Sequence, residues 1–199
     1  MVKLGFIRHA RTQWNLEKKI QGREDIALCR EGISQACLWG EILKPEKFDL
    51  IISSPMIRAK QTAKIISRKI FAGIEYDDDL REQDFGTWEG QKLVDIRKQA
   101  PGEIELQESR GWEFCPPGGE PRTRVLKRGL KATARAAKDF DKKNILVVTH
   151  QSVMKAIIYK IMGENFTPGK VPLLKDCHLH ALVWNKKIKI EKLNSIRLL

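Results

Sequence analysis

Three stretches of the chain are short, almost wholly apolar and rich in β-branched residues: 2–8 (VKLGFIR), 48–54 (FDLIISS) and 144–150 (NILVVTH). Runs of this kind suit central strands of a sheet covered on both faces. Each is followed by a helical pattern. After ISSP comes MIRAKQTAKIISRKI, with Ala59, Ala63, Ile66 and Ile70 on one face, Ser54 placed to cap and Pro55 at the first helical position. After VVTH comes QSVMKAIIYKIMG, closed by Gly163. CREGISQACLWGEIL and EPRTRVLKRGLKATARAAKDF supply two more helices, the second turning Leu126, Leu130, Ala134, Ala137 and Phe140 toward the core.

Strands alternating with helices predict an α/β fold, a three-layer sandwich in which helices cover both faces of a mainly parallel sheet. The last stretch, CHLHALVWNKKIKIEKLN, reads as a hairpin turning near Asn185. Its final strand puts Ile188, Ile190 and Lys192 on one side and Lys187, Lys189 and Glu191 on the other, and lysines there protect a sheet edge. Between Phe85 and Pro121 the alternation breaks into charged, aromatic and Pro/Gly-rich sequence, with a helical piece near Lys92 to Gln99. Residues 86–121 are expected to form a lid-like insertion within one domain spanning 1–199.

Charge changes this picture less than its total suggests. The net charge is +12, but residues 121–143 hold nine Lys or Arg against two Asp, and residues 186–199 hold five against one Glu. The first segment reads as a solvated helix face and the second as edge protection, so nucleic acid is not an expected partner. No apolar run is long enough to span a bilayer, and MVKLGFIRH has no signal-peptide h-region, so a cytoplasmic protein without a membrane partner is expected. The four cysteines lack CxxC spacing, which points to reduced structural thiols. His178 and His180 share a strand face, but no carboxylate or thiol completes a set with them, and no metal or cofactor is expected.

The chemistry-bearing residues gather at strand ends. RHAR follows the first strand, SSPMIR the second and THQS the third, which is where doubly wound sheets bind ligands. Arg58 lies in the first turn of its helix and Gln151 and Ser152 begin another, so both sites suit an anion. An Arg–His pair at a strand end is often only a surface feature. Two histidines and two arginines at one rim have no packing purpose, because clustered cations must be compensated or exposed.

RHARTQWNLEKKIQG, CREGISQA, IISSPMIRAKQTA, LREQDFGTWEG, PPGGE and VVTHQSVMKAI occur in an order that resembles the histidine phosphatase superfamily, the group that includes the cofactor-dependent phosphoglycerate mutases. The resemblance covers nearly the whole chain. It implies a phosphomonoesterase acting on a small-molecule phosphate ester without metal. His9 would take the phosphoryl group, Arg8, Arg58 and His150 would grip its oxygens, and Asn15 and Gln151 would add neutral donors. Arg11, Gln21 and Gly22 would contact the rest of the substrate. Glu82 would carry the leaving-group proton, although the residues alone do not choose it over Asp84 or Glu89.

Three residues depart from the family pattern. Ala10 stands for the Gly of the first signature and would be strained at positive φ; Arg11 replaces an acidic residue and favours a more highly charged substrate; Gln151 replaces a Gly. LREQDFGTWEG and PPGGE resemble the phosphatase side of the family, including the α-ribazole phosphate phosphatases. The competing readings are mutase-type phosphoryl transfer and a catalytically impaired protein that binds anions or nucleic acid on the same scaffold. A homodimer is left open.

Overall fold

The computed structural model describes residues 1–199. Its elements are β1 (Val2–Arg8), α1 (Gln13–Leu16), α2 (Arg30–Leu43), β2 (Leu50–Ser53), α3 (Ile57–Ile70), β3 (Gly73–Tyr76), α4 (Leu93–Gln99), α5 (Glu103–Ser109), α6 (Arg122–Asp139), β4 (Asn144–Thr149), α7 (Gln151–Met162), β5 (His178–Asn185) and β6 (Lys187–Arg197). The strands form one sheet in the order β3-β2-β4-β1-β5-β6. β1 to β4 pair in parallel, while β5 and β6 are each antiparallel to the preceding neighbour. This is the expected α/β sandwich, completed by an antiparallel hairpin.

The central strands are apolar on both sides because two separate cores cover them. Leu4, Phe6, Ile145 and Val147 pack with α6 and α7, whereas Ile7, Leu146 and Val148 pack with α2 and α3 on the opposite face. β1 therefore leads to a helix on one face and its neighbour β4 to a helix on the other. The two chains part at the carboxyl ends of these strands, and that divergence opens a crevice. His9 N–H still bonds Thr149 O (3.0 Å) and Ser54 N–H bonds Val148 O (2.9 Å), so the three strand ends are held level at its floor.

Several local expectations are corrected. α3 starts at Ile57, not Pro55; Met56 is its N-cap, and the Ser54 hydroxyl accepts from Met56 N–H (3.3 Å) in the turn before it. The buried face of α6 centres on Val125, Gly129, Ala132 and Ala136, with Leu126, Leu130 and Phe140 only flanking it. Small residues win because α7 approaches closely: a Cβ on Gly129 would lie 3.0 Å from Ile157 Cδ1. The basic run of α6 is not simply solvated either, since Arg128 and Arg135 pair with Glu120, Asp77 and Asp79. In β6 an irregularity in the pairing with β5 leaves Lys192 exposed and turns Leu193 onto the core.

The edge strand β3 and the helices α1 and α5 are additional to the sequence reading. Within 86–121, Trp88, Ile96, Ile104 and Phe114 make a small core of their own, joined by Ile20 and Phe85. Paired bonds of Ile20 N–H to Gln91 O and Gly90 N–H to Ile20 O (both 2.9 Å) tie that segment to the loop after α1. No helix is long and apolar enough to cross a membrane.

Candidate active site

His9 is the first residue beyond β1 and is only 4 % exposed. Its Nδ1–H donates to the Ala10 carbonyl at 2.7 Å, which makes Nε2 the unprotonated, accepting nitrogen on the crevice side. Burial holds its pKa well below the ordinary 6.5, and the Arg8 and Arg58 guanidiniums push the same way. The imidazole is therefore neutral at physiological pH with its basic nitrogen fixed in direction. Ala10 is fully buried, its N–H bonded to Thr62 Oγ1 (3.0 Å), and its backbone does not adopt positive φ. The strain expected of an alanine there is absent.

Arg58 reaches this nitrogen from α3, with Nε donating to His9 Nε2 at 3.2 Å. Its Nη1 and Nη2 donate to the carbonyls of Glu24 and Gly22 (2.8 Å each), so the guanidinium is fully buried yet held in plane. Burial lowers it to about 10, which keeps it charged at neutral pH. The Gly22 backbone that supplies one acceptor has φ +49°, and a Cβ would lie 1.9 Å from Glu89 Oε1. Arg8 stands beside His9 with Nε buried and unpartnered, and its Nη1 is 4.0 Å from Asp176.

His150 caps α7 without exposure, its ring centroid 5.2 Å from that of His9. The Ser54 hydroxyl lies 2.8 Å from its Nε2, whereas Nδ1 has no protein partner. Burial, then Arg58 and His9, keeps this imidazole neutral as well. The arrangement is a small, dry pocket floor with fixed positive charge and unspent donors, suited to a tetrahedral anion.

Glu82 comes to the same cavity on the loop after β3. It is 7 % exposed, with Oε1 accepting from Gln83 N–H at 2.8 Å. The cavity of about 420 Å³ is lined by Arg8, His9, Asn15, Gln21, Gly22, Arg58, Glu82 and Gln151 among others. Asp84 and Glu89 do not line it: Asp84 accepts from Gly86 N–H, and Glu89 from Arg23 and Phe85 N–H. Of the three carboxylates, Glu82 alone lines the cavity.

Two of the expected donors have their orientation set locally. Asn15 Oδ1 accepts from Thr12 N–H in a capping box, which leaves its Nδ2 as the free group, and Gln21 Oε1 accepts from the single Thr12 Oγ1–H (3.0 Å). Arg11 lies apart from Glu82. Its side chain is exposed and lines not the cavity containing Glu82 but a neighbouring cleft, which shares Arg8, His9 and Asn15 with that cavity and adds Gln35, Trp39 and Cys177. The backbone turns it away because Arg11 N–H bonds Gln35 Oε1 (2.9 Å) and Arg11 O accepts from Cys29 N–H (3.1 Å).

Three basic residues were missed by sequence reasoning. Arg122 and Lys155 line the cavity beside Phe85, Leu93 and Phe166. Arg128 positions the Glu82 loop from behind: Nη2 donates to Glu82 O (3.0 Å) and Nη1 to the carbonyls of Asp79 (2.8 Å) and Arg81. Arg122 and Arg128 look in sequence like further charges on a basic helix and Lys155 like a lone lysine in an apolar one, and only long-range contacts distinguish them.

A fold with two histidines, two arginines and a carboxylate at the split between neighbouring parallel strands defines a phosphate-handling class of enzyme. Residues 4–195 match the histidine phosphatase superfamily (branch 1), and the chain belongs to that family as a phosphatase-type enzyme. It is 30% identical over 194 residues to the Bacillus subtilis (strain 168) protein named "Uncharacterized phosphatase PhoE", covering 98% of this chain and 95% of that one. It is also 30% identical over 182 residues to "Probable phosphoglycerate mutase GpmB" of Salmonella choleraesuis, with 92% and 85% covered. A phosphoserine phosphatase structure from Entamoeba histolytica superposes with a TM-score of 0.84 over 100% of both chains at 28% identity.

Proposed function

We propose that the protein is a phosphomonoesterase that hydrolyses a small phosphorylated metabolite through a phosphohistidine on His9. The observation that carries the reading is the tautomer of His9: Nδ1–H is spent on Ala10 O, so the neutral ring presents Nε2 to a cavity lined by Arg8, Arg58 and Asn15 together with the Glu82 carboxyl. Nε2 attacks phosphorus as the P–O bond to the alcohol breaks. Glu82 protonates the departing oxygen. In the second step the Glu82 carboxylate takes a proton from water, the water oxygen attacks phosphorus, and the N–P bond returns its electron pair to Nε2.

Arg8, Arg58 and the unpartnered Nδ1–H of His150 hold the three equatorial oxygens, aided by Asn15 Nδ2 and the backbone N–H of Gln151 at the start of α7. The steps need no metal. Residues 86–121, which supply Leu93 to the cavity wall, act as the lid that meets the alcohol portion.

The test is p-nitrophenyl phosphate turnover with rapid acid-free quenching and mass spectrometry. Acid-labile phosphate is expected on His9, and His9→Ala is expected to release no phosphate above background. Phosphate mapped to His150, or full activity in His9→Ala, overturns the assignment. Transfer to a second phosphoglycerate in preference to water would make it a mutase instead.

A further inference from the structure

The peptide between Ala10 and Arg11 holds His9 from behind. Its carbonyl accepts the His9 Nδ1–H at 2.7 Å, and its N–H donates to Gln35 Oε1 at 2.9 Å. The two bonds leave one planar group from opposite edges, so whatever turns the N–H also turns the carbonyl. The neighbouring groups are held separately: His9 N–H by Thr149 O (3.0 Å), Ala10 N–H by Thr62 Oγ1 (3.0 Å) and Arg11 O by Cys29 N–H (3.1 Å). The remaining rotation, that of the Ala10–Arg11 plane itself, is fixed by Gln35.

Gln35 is built to hold that position. It lies on the buried face of α2, only 9 % exposed, and its Nε2 donates to Cys177 Sγ (3.4 Å) in the segment before β5. The amide is anchored at both ends, and a flipped amide would set Nε2 against the Arg11 N–H, donor to donor. α2 reaches this close to the loop because Gly32 has no side chain: a Cβ there would lie 1.9 Å from Arg11 O. Gln35 lines the cleft that contains Arg11 and not the cavity that contains Glu82, so its route to the reacting nitrogen runs through the peptide and the imidazole.

This linkage matters most as the phosphoryl group arrives. Arg58 Nε donates to His9 Nε2 at 3.2 Å, and that contact must yield before phosphorus can reach the nitrogen. From then on Ala10 O alone keeps the ring proton on Nδ1. As the N–P bond forms and the P–O bond breaks, the Nε2 lone pair is committed to phosphorus and the ring becomes positive. Its proton stays on Nδ1 and bonds the carbonyl more strongly than in the ground state. An acceptor on the Arg11 N–H polarises the same peptide toward a more negative Ala10 O, so the stabilisation passes along the chain.

We propose that Gln35 is a positioning residue for the nucleophile: by accepting the Arg11 N–H it turns and polarises the Ala10 carbonyl that holds the His9 proton on Nδ1. The inference rests on the reading of His9 as phosphoryl acceptor.

Three variants separate this role from packing. Gln35→Met keeps the bulk and removes the acceptor. Gln35→Glu keeps the acceptor and adds a negative charge, which Arg8 and Arg11 on the same cleft stabilise. Cys177→Ala removes the other hydrogen bond of the amide and leaves Oε1 in place. With p-nitrophenyl phosphate and rates normalised to folded protein, Gln35→Met is expected to lose about tenfold or more in kcat with KM within about twofold, while Gln35→Glu and Cys177→Ala stay within about threefold of wild type.

Nuclear magnetic resonance of protein carrying isotope-labelled histidine supplies a readout that packing alone would not order, with His9 assigned by its loss in His9→Asn. Both the downfield position of the Nδ1–H proton and the pH at which the ring titrates should rise in the order Gln35→Met, wild type, Gln35→Glu. Values that do not follow this order, or kcat lost equally in Gln35→Met and Gln35→Glu, overturn the proposal. If Gln35→Met does not fold, the upward shift of both values in Gln35→Glu relative to wild type decides alone. Failure of the underlying reading has a different signature: p-nitrophenyl phosphate turnover would survive His9→Ala, and the order of the ring titrations would still decide whether Gln35 holds His9.

Discussion

Arg128 and Glu120 form a two-pronged ion pair, with Nε to Oε1 and Nη2 to Oε2 both at 2.9 Å, and the same guanidinium holds three successive-turn carbonyls leading to Glu82. Glu120 is the last residue of PPGGE, and its own backbone N–H bonds Asp84 O (2.9 Å) while its carbonyl accepts from Gln83 Nε2 (2.7 Å). The motif thus acts from a distance, by fixing both flanks of the proposed proton carrier. Its partners are nearly dry, with side-chain exposures of 11% and 6%.

Glu120→Gln is therefore expected to lose about 3–5 kcal/mol of stability, because it leaves the buried Arg128 charge without a carboxylate, and Arg128→Met somewhat less, because Glu120 keeps Arg23 Nη2 at 3.6 Å. Urea unfolding measures this directly. Among molecules that remain folded, kcat should fall more than KM rises, since Glu82 is displaced while the phosphate grip is untouched. Wild-type kcat in folded Glu120→Gln would show that Glu82 needs no such support.

The buried histidines set a pH dependence with a definite sign. His9 and His150 have folded pKa values well below 6.5, and His180, buried beneath β6, lies at about 4. Below pH 6.5 the unfolded chain binds protons that the folded one refuses, so stability falls as pH falls through that window and is constant with respect to these groups above it. The slope is up to about 1.4 kcal/mol per pH unit for each histidine. Unfolding midpoints between pH 7 and 5 should decline accordingly, and replacing His180 by Asn should remove one share. A profile that is flat over this range would refute the depressed values.

For the same reason the acid limb of kcat/KM assigned to His9 should lie below pH 6.5. Nuclear magnetic resonance titration of the His9 ring gives the value independently of the substrate's own ionisation. A His9 titration at or above 6.5 would mean that the ring is not held neutral by burial.

Gly22→Ala should be damaging out of proportion to its size. The residue needs positive φ, its Cβ would meet the Glu89 carboxylate, and its carbonyl accepts from Arg58 Nη2. Backbone strain alone costs about 1–2 kcal/mol. Gly102→Ala is the matched control, because Gly102 also has positive φ (+83°) but a Cβ there meets nothing within 4 Å. The expected outcome is a loss of about the strain energy for Gly102→Ala and a larger one for Gly22→Ala by urea unfolding, with a large fall in kcat/KM only for Gly22→Ala.

Arg11→Glu should leave the preference between singly and doubly charged esters unchanged. Its backbone bonds to Gln35 and Cys29 survive the change, and its side chain lines the adjoining cleft on the far side of Arg8 and His9, not the cavity containing Glu82. Steady-state comparison of glycerol 3-phosphate with 3-phosphoglycerate checks this. A shift in the ratio would place Arg11 back in substrate recognition.

Local pattern carried the main architecture. β1, β2, β4 and the helices after them announce themselves because a doubly covered strand must be apolar on both sides and a surface helix must be apolar on one. β3 escaped notice because GIEY is a half-exposed edge strand with no such run, and α5 because EIELQES turns only Ile104 and Gln107 inward. The true face of α6 was hidden for a packing reason: closeness to α7 favours Gly129 and Ala132 over the leucines that hydrophobicity picks out.

By itself, then, the sequence determined the α/β class, the strand-end placement of Arg8, His9, Arg58 and His150, and the family, since these depend on neighbours in the chain and on motif order. Tertiary structure decided the rest. The His9 tautomer, the placement of Glu82 and not Asp84 or Glu89 on the cavity, the position of Arg11 in the adjoining cleft and the distinct surroundings of Arg122, Arg128 and Arg135 all depend on which polar group meets which across the fold. A guanidinium on a basic helix looks the same in sequence whether it faces water, a carboxylate or a pair of aromatic rings, and only burial gives those alternatives different energies.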